Sequence, residues 1–263
     1  MKILLFLIIA FTIYFVLGYD TRINTVEYSI RTNKLKSSVK MLLISDLHSC
    51  DYENKLVDKT DDINPDIILM TGDIIDDRLP FDKGFSFISH IGNRYDCYYV
   101  TGNHELRIDP EINIKKIIRN EKIKVLEGSC YSFNAKGSIL CIYGLDDFEM
   151  GENLWLNQLN SITDTLNNNL FNILLTHRPE KADEYFKRGF DLTVSGHAHG
   201  GQWRFPKLIN GFYSPNQGVF PKYAGGLYKR EGNALIVSRG LAKESTKIPR
   251  LFNPPELVVI NIN

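Results

Sequence analysis

Five short apolar runs punctuate the chain between Ser38 and Ser195, and each is followed closely by side chains that can bind a cation. SSVKMLLIS ends at Ser45, PDIILM at Met70, DCYYV at Val100, FNILLT at Thr176 and FDLTVS at Ser195. A strand exposed on one face alternates polar and apolar positions, so short runs that do not alternate are the pattern of strands covered on both faces. Between the first three lie segments with helical apolar spacing, Lys55 to Ile63 and Gly84 to Ile91. Their repeat of about 30 residues is that of β-α-β units. An α/β fold is therefore expected. A further helix is expected from Asp109-Pro110-Glu111, an N-cap followed by proline in the first turn. From Lys124 to Tyr143 and from Ala234 to Ile262 the pattern turns to β runs, which predicts a second sheet packed on the first.

Ligands of open α/β sheets bind outside the carboxyl ends of the strands, so the residues that follow each run carry the chemistry. They are Asp46 and His48, then Gly72-Asp73, then Gly102-Asn103-His104-Glu105, then His177, then Gly196-His197-Ala198-His199. Of the six histidines, only His90 falls in a helical segment, where it reads as structural. Two carboxylates, an amide oxygen and four imidazoles make a mixed N/O donor set suited to Mn²⁺, Zn²⁺ or Fe and unsuited to Ca²⁺. They exceed what one tetrahedral ion takes, and fit two ions about 3.5–4 Å apart if a carboxylate is shared. The glycines before Asp73, Asn103 and His197 are expected to allow sharp turns at the strand ends.

Composition removes other classes. Lys+Arg and Asp+Glu both number 31, so no net field favours nucleic acid as a partner. Cys50, Cys97, Cys130 and Cys141 form no CxxC pair, which argues against a zinc knuckle or redox motif, and Cys50 reads as a bystander near His48. Arg107 and Arg178 follow motif residues closely and read either as phosphate clamps or as ion-pair partners. The stretch from Gly211 to Lys229, rich in glycine, proline and aromatics, is expected to form a long loop over the site's edge. Its rings either pack locally or wall in a lipid-linked substrate. At the N-terminus, ILLFLIIAFTIYFVLG (residues 3–18) is about 16 apolar residues, slightly short of a relaxed bilayer span. No Ala-x-Ala site follows, so an uncleaved single-pass anchor in the cell membrane is expected. Lys2 opposes Arg22, Arg31, Lys34 and Lys36 as orientation signals, which leaves the side of the membrane open. The expected organisation is an anchor or signal segment over residues 1–18, a tether over 19–36 and a catalytic domain over 37–263.

The order D-x-H, GD, GNHE, H, GHxH resembles the calcineurin-like metallophosphoesterases. SGHAHGGQ at Ser195 to Gln202, HRPE from His177, SRGL from Ser238 and the ending PRLFNPPELVVI resemble its membrane-associated bacterial branch, which includes YaeI and YkuE phosphodiesterases and UDP-diacylglucosamine pyrophosphatases. The resemblance implies a four-layer α/β/β/α sandwich of two mixed sheets. It implies one metal held by Asp46, His48, Asp73 and His199, and a second held by Asp73, Asn103, His177 and His197, with Asp73 as the bridge. It further implies in-line attack on phosphorus by a hydroxide between the ions, with His104 assisting the leaving group and Glu105 supporting the ligands. The reaction class is hydrolysis of a phosphodiester, monoester or pyrophosphate on a phosphorylated small molecule or lipid-linked substrate, by a monomer. The alternatives are a nucleotide or nucleic-acid phosphodiesterase on the same fold, and a non-catalytic metal-binding protein, against which the complete donor set counts.

Overall fold

The computed structural model describes residues 2–205, 207–243 and 248–263. The chain opens with helix α1 (Lys2–Gly18) and strand β1 (Asn24–Ile30). It continues through β2 (Val39–Ile44), α2 (Lys55–Ile63), β3 (Ile67–Met70), α3 (Asp82–Gly92), β4 (Cys97–Tyr99), α4 (Asn103–Arg107), α5 (Ile114–Asn120) and β5 (Lys124–Val125). The second half supplies β6 (Ser129–Ala135), β7 (Ser138–Gly144), α6 (Glu152–Thr163), β8 (Phe171–Leu175), α7 (Ala182–Phe186) and β9 (Leu192–Ser195). After these come β10 (Tyr213–Ser214), β11 (Gly218–Val219), β12 (Gly226–Arg230), β13 (Asn233–Val237) and β14 (Glu256–Ile262).

Two six-stranded sheets result. The first runs β1-β14-β2-β3-β4-β5, with β2 through β5 parallel and β14 antiparallel to β2. The second runs β12-β13-β9-β8-β7-β6, four parallel strands between two antiparallel outer ones. The apolar runs have no exposed face because both sides of each sheet are covered. Met41 and Leu43 of β2 meet Ile142, Ile173, Leu175 and Val194 of the other sheet, while Leu42 and Ile44 pack with Leu56 of α2 and Phe87, Ile88 and Ile91 of α3. On the far side Tyr143 and Leu174 meet Trp155, Leu159 and Ile162 of α6. Each such side chain stabilises the fold by about 1.5–3 kcal/mol on burial, so both faces contribute. The layers are thus helix, sheet, sheet, helix.

Four expectations change. The helix expected at Asp109 begins at Ile114 instead: Asp109 closes a turn by accepting from Glu111 N at 3.0 Å, and Asn113 caps α5 by accepting from Lys116 N at 3.0 Å. The final β run does not join the second sheet, because β14 lies inside the first, between β1 and β2. The expectation of a single-pass membrane anchor, and the cell-membrane location drawn from it, is overturned. Helix α1 has 17 residues, and among the described residues no helix is long and apolar enough to cross a membrane. One side of α1 is instead held by the domain. Tyr14 stacks on Phe205 at 5.0 Å between ring centroids and donates from its hydroxyl to Arg204 O at 3.0 Å, and Phe11 tilts against Trp203 at 6.3 Å. The residues read as a tether include β1, which pairs in parallel with β14 along its whole length.

Candidate metal centre

The strand ends of both sheets meet along one edge. Asp46 and His48 follow β2, Asp73 follows β3, Asn103 opens α4 after β4, His177 follows β8, and His197 and His199 follow β9. The first sheet thus supplies Asp46, His48, Asp73 and Asn103, and the second His177, His197 and His199. All are buried. Asp46, His48, Asp73, His197 and His199 have φ between 47° and 64°, a left-handed backbone that non-glycine residues seldom adopt and that clusters at functional sites. Of the glycines read as turn-makers, only Gly72 is left-handed, at φ 83°. Gly102 and Gly196 provide room: a Cβ there would stand 2.2 Å from Asp73 Oδ1 and 2.3 Å from Asp46 Oδ2.

Besides a group of His48 with Asp76 and His104, the expected ligands form two clusters, Asp46 with His48 and His199, and Asp73 with His177 and His197. Hydrogen bonds at the outer nitrogens fix the tautomers that matter. His177 Nδ1 lies 2.7 Å from the carbonyl of Thr71, which can only accept, so the ring proton is on Nδ1. His48 Nδ1 lies 2.7 Å from the buried carboxylate of Asp76, and the same logic applies. The inner Nε2 atoms then both face the same oxygen, Asp73 Oδ2, at 3.1 Å (His177) and 3.6 Å (His48). His197 Nδ1 is 3.1 Å from His177 Nε2, and His199 Nε2 is 3.2 Å from His48 Nε2 and 3.4 Å from Asp46 Oδ1. Asn103 Oδ1 is buried with no hydrogen-bond partner among the described residues. Acceptors packed this closely repel one another unless positive charge sits among them, and N/O donors of this kind fit a divalent transition ion.

The electrostatics agree. Burial works against ionising Asp73 and Asp46, but the surrounding histidines outweigh it and hold both carboxyls well below their ordinary range. Burial lowers the pKa of His177, yet the charge of Asp73 and its hydrogen bond hold it up to about 10. The pocket therefore draws positive charge toward Asp73. His197 goes the other way: burial, then the charges of His177 and Arg178, pull it well below its usual value, so its ring is neutral.

A family model for calcineurin-like phosphoesterases matches residues 39–201. The chain belongs to this family. An uncharacterized metallophosphoesterase of Campylobacter jejuni is 30% identical over 237 residues, which cover 87% of this chain and 60% of that protein. The uncharacterized metallophosphoesterase YkuE of Bacillus subtilis is 28% identical over 257 residues, covering 91% of this chain and 85% of YkuE. Among solved structures, a phosphopantetheinyl hydrolase of Mycobacterium tuberculosis aligns with a TM-score of 0.52 at 13% identity, over 77% of this chain and 90% of that one. The Thermus thermophilus protein TT1561 gives 0.51 at 13% identity, over 79% and 92%. At that identity the likeness establishes the fold alone. As a member of its family, the chain is a metal-dependent phosphoesterase, and the family works with a dinuclear divalent metal centre.

The calcineurin-like site includes groups that its motifs did not reveal. Asp76 accepts from His48 and lies 3.3 Å from His104 Nδ1; Asp77 Oδ1 is 2.5 Å from that same nitrogen. The run GDIIDD signalled carboxylates, but only the fold shows which imidazoles they meet. Glu105 was expected to support the ligands, and its carboxylate accepts from the backbone N–H groups of Gly102, Asp73, Ile74 and Ile75 at 2.7–3.0 Å. Burial and the charge of Asp73 push its pKa up to about 7, a push that the N–H groups of Ile75 and Gly102 and the hydroxyl of Tyr99 oppose. Neither arginine is a free phosphate clamp. Arg107 pairs with Glu149, and buried Arg178 grips Asp147 bidentately at 2.5 and 2.8 Å. Cys50 is buried and belongs to neither cluster, and His90 sits on α3 beside Arg94 and Asp61. The stretch from Gly211 to Lys229 contains the small β10–β11 hairpin, whose tip places Asn216 Oδ1 2.8 Å from His197 Nε2 and 2.7 Å from Arg178 Nη1.

Proposed function

We propose that this chain hydrolyses a phosphodiester, phosphomonoester or pyrophosphate bond with two divalent cations, Mn²⁺, Zn²⁺ or Fe. In this reading Asp46, His48, Asp73 and His199 hold one, and Asp73, Asn103, His177 and His197 hold the other. The observation that carries the reading is Asp73 Oδ2, which stands between the Nε2 atoms of His48 and His177. When bound, two such cations withdraw charge from phosphoryl oxygens and bring the pKa of water toward neutrality. The protein's part is to hold the reacting group and to move one proton. His104 Nδ1 is fixed by Asp77, so its Nε2, which has no partner among the described residues, is the atom that protonates the leaving oxygen. Asp77 holds the imidazolium that gives up this proton and keeps the neutral ring oriented afterwards, as a carboxylate behind a catalytic histidine does. Residues 37–263, together with the strand β1 that pairs with β14, form the catalytic domain and act as a monomer, since one chain supplies every proposed ligand. The substrate is a phosphorylated small molecule or a lipid-linked phosphoester; the exposed Phe212, Val219 and Phe220 around the hairpin offer apolar contact beside the site.

The test is Mn²⁺-dependent release of p-nitrophenol from bis-p-nitrophenyl phosphate by wild type, Asp73→Asn and His104→Ala. Asp73→Asn should lose both cation binding and activity. His104→Ala should lose about 10²–10⁴-fold in rate while still binding two ions. Equal rates for wild type and Asp73→Asn sink the two-metal proposal.

A further inference from the structure

We infer that Asn216, at the tip of the β10–β11 hairpin, is a positioning residue that keeps His197 in the one tautomer able to bind a cation; this rests on the two-metal reading above. Guanidinium nitrogens only donate, so the atom of Asn216 that faces Arg178 Nη1 at 2.7 Å must be its oxygen. His197 Nε2 lies 2.8 Å from that oxygen and 2.9 Å from Nη1 itself. Two arrangements compete for these atoms. If Nε2 carries the ring proton, it donates to Asn216 Oδ1, and Nδ1 faces His177 Nε2 as a lone pair. If Nε2 accepts from Arg178 instead, the proton of the neutral ring sits on Nδ1, where a cation has to bind.

Asn216 decides between them by supplying the acceptor that a proton on His197 Nε2 needs, while also taking one of the two N–H groups of Nη1, which has Glu180 Oε1 at 3.7 Å as well. The other donors of Arg178 are committed: Nε and Nη2 to Asp147, and Nη2 also to Glu149 at 3.3 Å. Without the Asn216 oxygen, His197 Nε2 is the one acceptor within hydrogen-bond distance of Nη1 among the described residues. The arginine then favours the tautomer that blocks the ligand atom. One oxygen with two lone pairs can accept from both neighbours, which an aliphatic side chain cannot do.

The hairpin is built to deliver this atom. Asn216 has φ 60°, a conformation that asparagine tolerates better than most residues. Gln217 clamps the hairpin by donating to Tyr223 O at 3.0 Å and accepting from Tyr223 N at 2.9 Å. Phe212 N donates to Gly201 O at 2.9 Å, which ties the hairpin to the short turn that carries His199. An outer partner that orients a ligating imidazole typically contributes 10–100-fold in metal affinity.

The experiment is titration of the chelator-stripped full chain with Mn²⁺ by calorimetry, comparing wild type, Asn216→Gly and Asn216→Asp. Glycine accepts φ 60° and removes the oxygen; aspartate tolerates the same backbone and keeps an acceptor. Asn216→Gly should weaken one of two binding events by about 10–100-fold and leave the other unchanged, and Asn216→Asp should bind both ions as wild type does. A wild type that binds two ions alongside an Asn216→Gly variant that binds them equally well overturns the inference alone. So does an Asn216→Asp variant as weak as Asn216→Gly. A wild type that binds fewer than two ions overturns the two-metal reading and this inference with it. Melting of the stripped variants separates the effect from folding, because a loss of hairpin stability would not be rescued by aspartate at the metal step alone.

Discussion

The side chain with the largest structural task at the site is Glu105. It touches no proposed ligand side chain, yet it gathers the N–H groups of Gly102, Asp73, Ile74 and Ile75, and so sets the loop that aims Asp73 and the start of α4 that presents Asn103. A glutamine of the same size would turn an NH₂ toward backbone donors on one side and leave buried N–H groups unpaired. Removing one partner from a buried network of this kind costs about 1–3 kcal/mol per orphaned group. Glu105→Gln should therefore lower the unfolding free energy by about 2–4 kcal/mol and weaken Mn²⁺ binding at Asp73 as well. Urea denaturation and calorimetry check the two parts separately. A variant of unchanged stability would mean that the loop conformation is held elsewhere. The glycines teach a related lesson at the same scale. Gly196 was legible as special, but the reason is that Ser45 and Asp46 need the space, and spatial crowding between residues about 150 positions apart leaves no mark in a local sequence window.

At the scale of elements, the buried strands were the most legible part of the fold, because an uninterrupted apolar run records burial on both faces directly. Runs ending at Ser45, Met70, Val100, Thr176 and Ser195 became β2, β3, β4, β8 and β9 within a residue or two. What local pattern could not show was partnership. β14 reads like any β run, and only tertiary packing puts it beside β1 and β2 instead of in the second sheet. The start of α5 was misplaced because Asp109-Pro110 satisfies a turn as well as a helix cap, and Asn113 competes for the capping role. Helix α1 was read from hydropathy alone, which is blind to the aromatic contacts that dock it. Tyr14 makes a stacked pair with Phe205, a tilted pair with Phe252 at 5.0 Å and a hydrogen bond to Arg204 O. Aromatic pairs contribute about 0.5–1.5 kcal/mol each and a hydrogen bond about 1 kcal/mol, so Tyr14→Ala should loosen α1 by about 2 kcal/mol or more. Backbone amide exchange over residues 4–16 should then speed by at least about tenfold, with β2 and β9 unaffected. Unchanged exchange would show that Phe11 and Gly18 suffice to hold the helix.

At the scale of the whole molecule, the centre is a seam. Asp46, His48, Asp73 and Asn103 ride on one sheet and His177, His197 and His199 on the other, and the apolar layer between Met41, Leu43, Ile173 and Val194 keeps the two strand-end edges in register. The side chains proposed to bind metal could be picked out because each motif is local to one strand end. Their meeting point was not, since it depends on two sheets packing face to face, as does the placing of Asp76, Asp77 and Asn216 behind the imidazoles. Cations bound across such a seam must stabilise both halves together. At a free concentration about a hundred times its dissociation constant, a ligand that binds only the folded state adds about 2.7 kcal/mol per site. For a chain of this length that raises the melting temperature by about 5–10 °C per site. Mn²⁺ should produce this shift and a chelator reverse it, with Asp73→Asn losing more than half, because Asp73 faces both clusters. Hydrogen exchange gives the sharper check. Protection on adding Mn²⁺ should rise together in the strand ends after β2 and β3 and in those after β8 and β9. Protection confined to one sheet would mean that the ions do not bridge the seam, and the dinuclear arrangement would have to be redrawn with the ligands of each sheet acting alone.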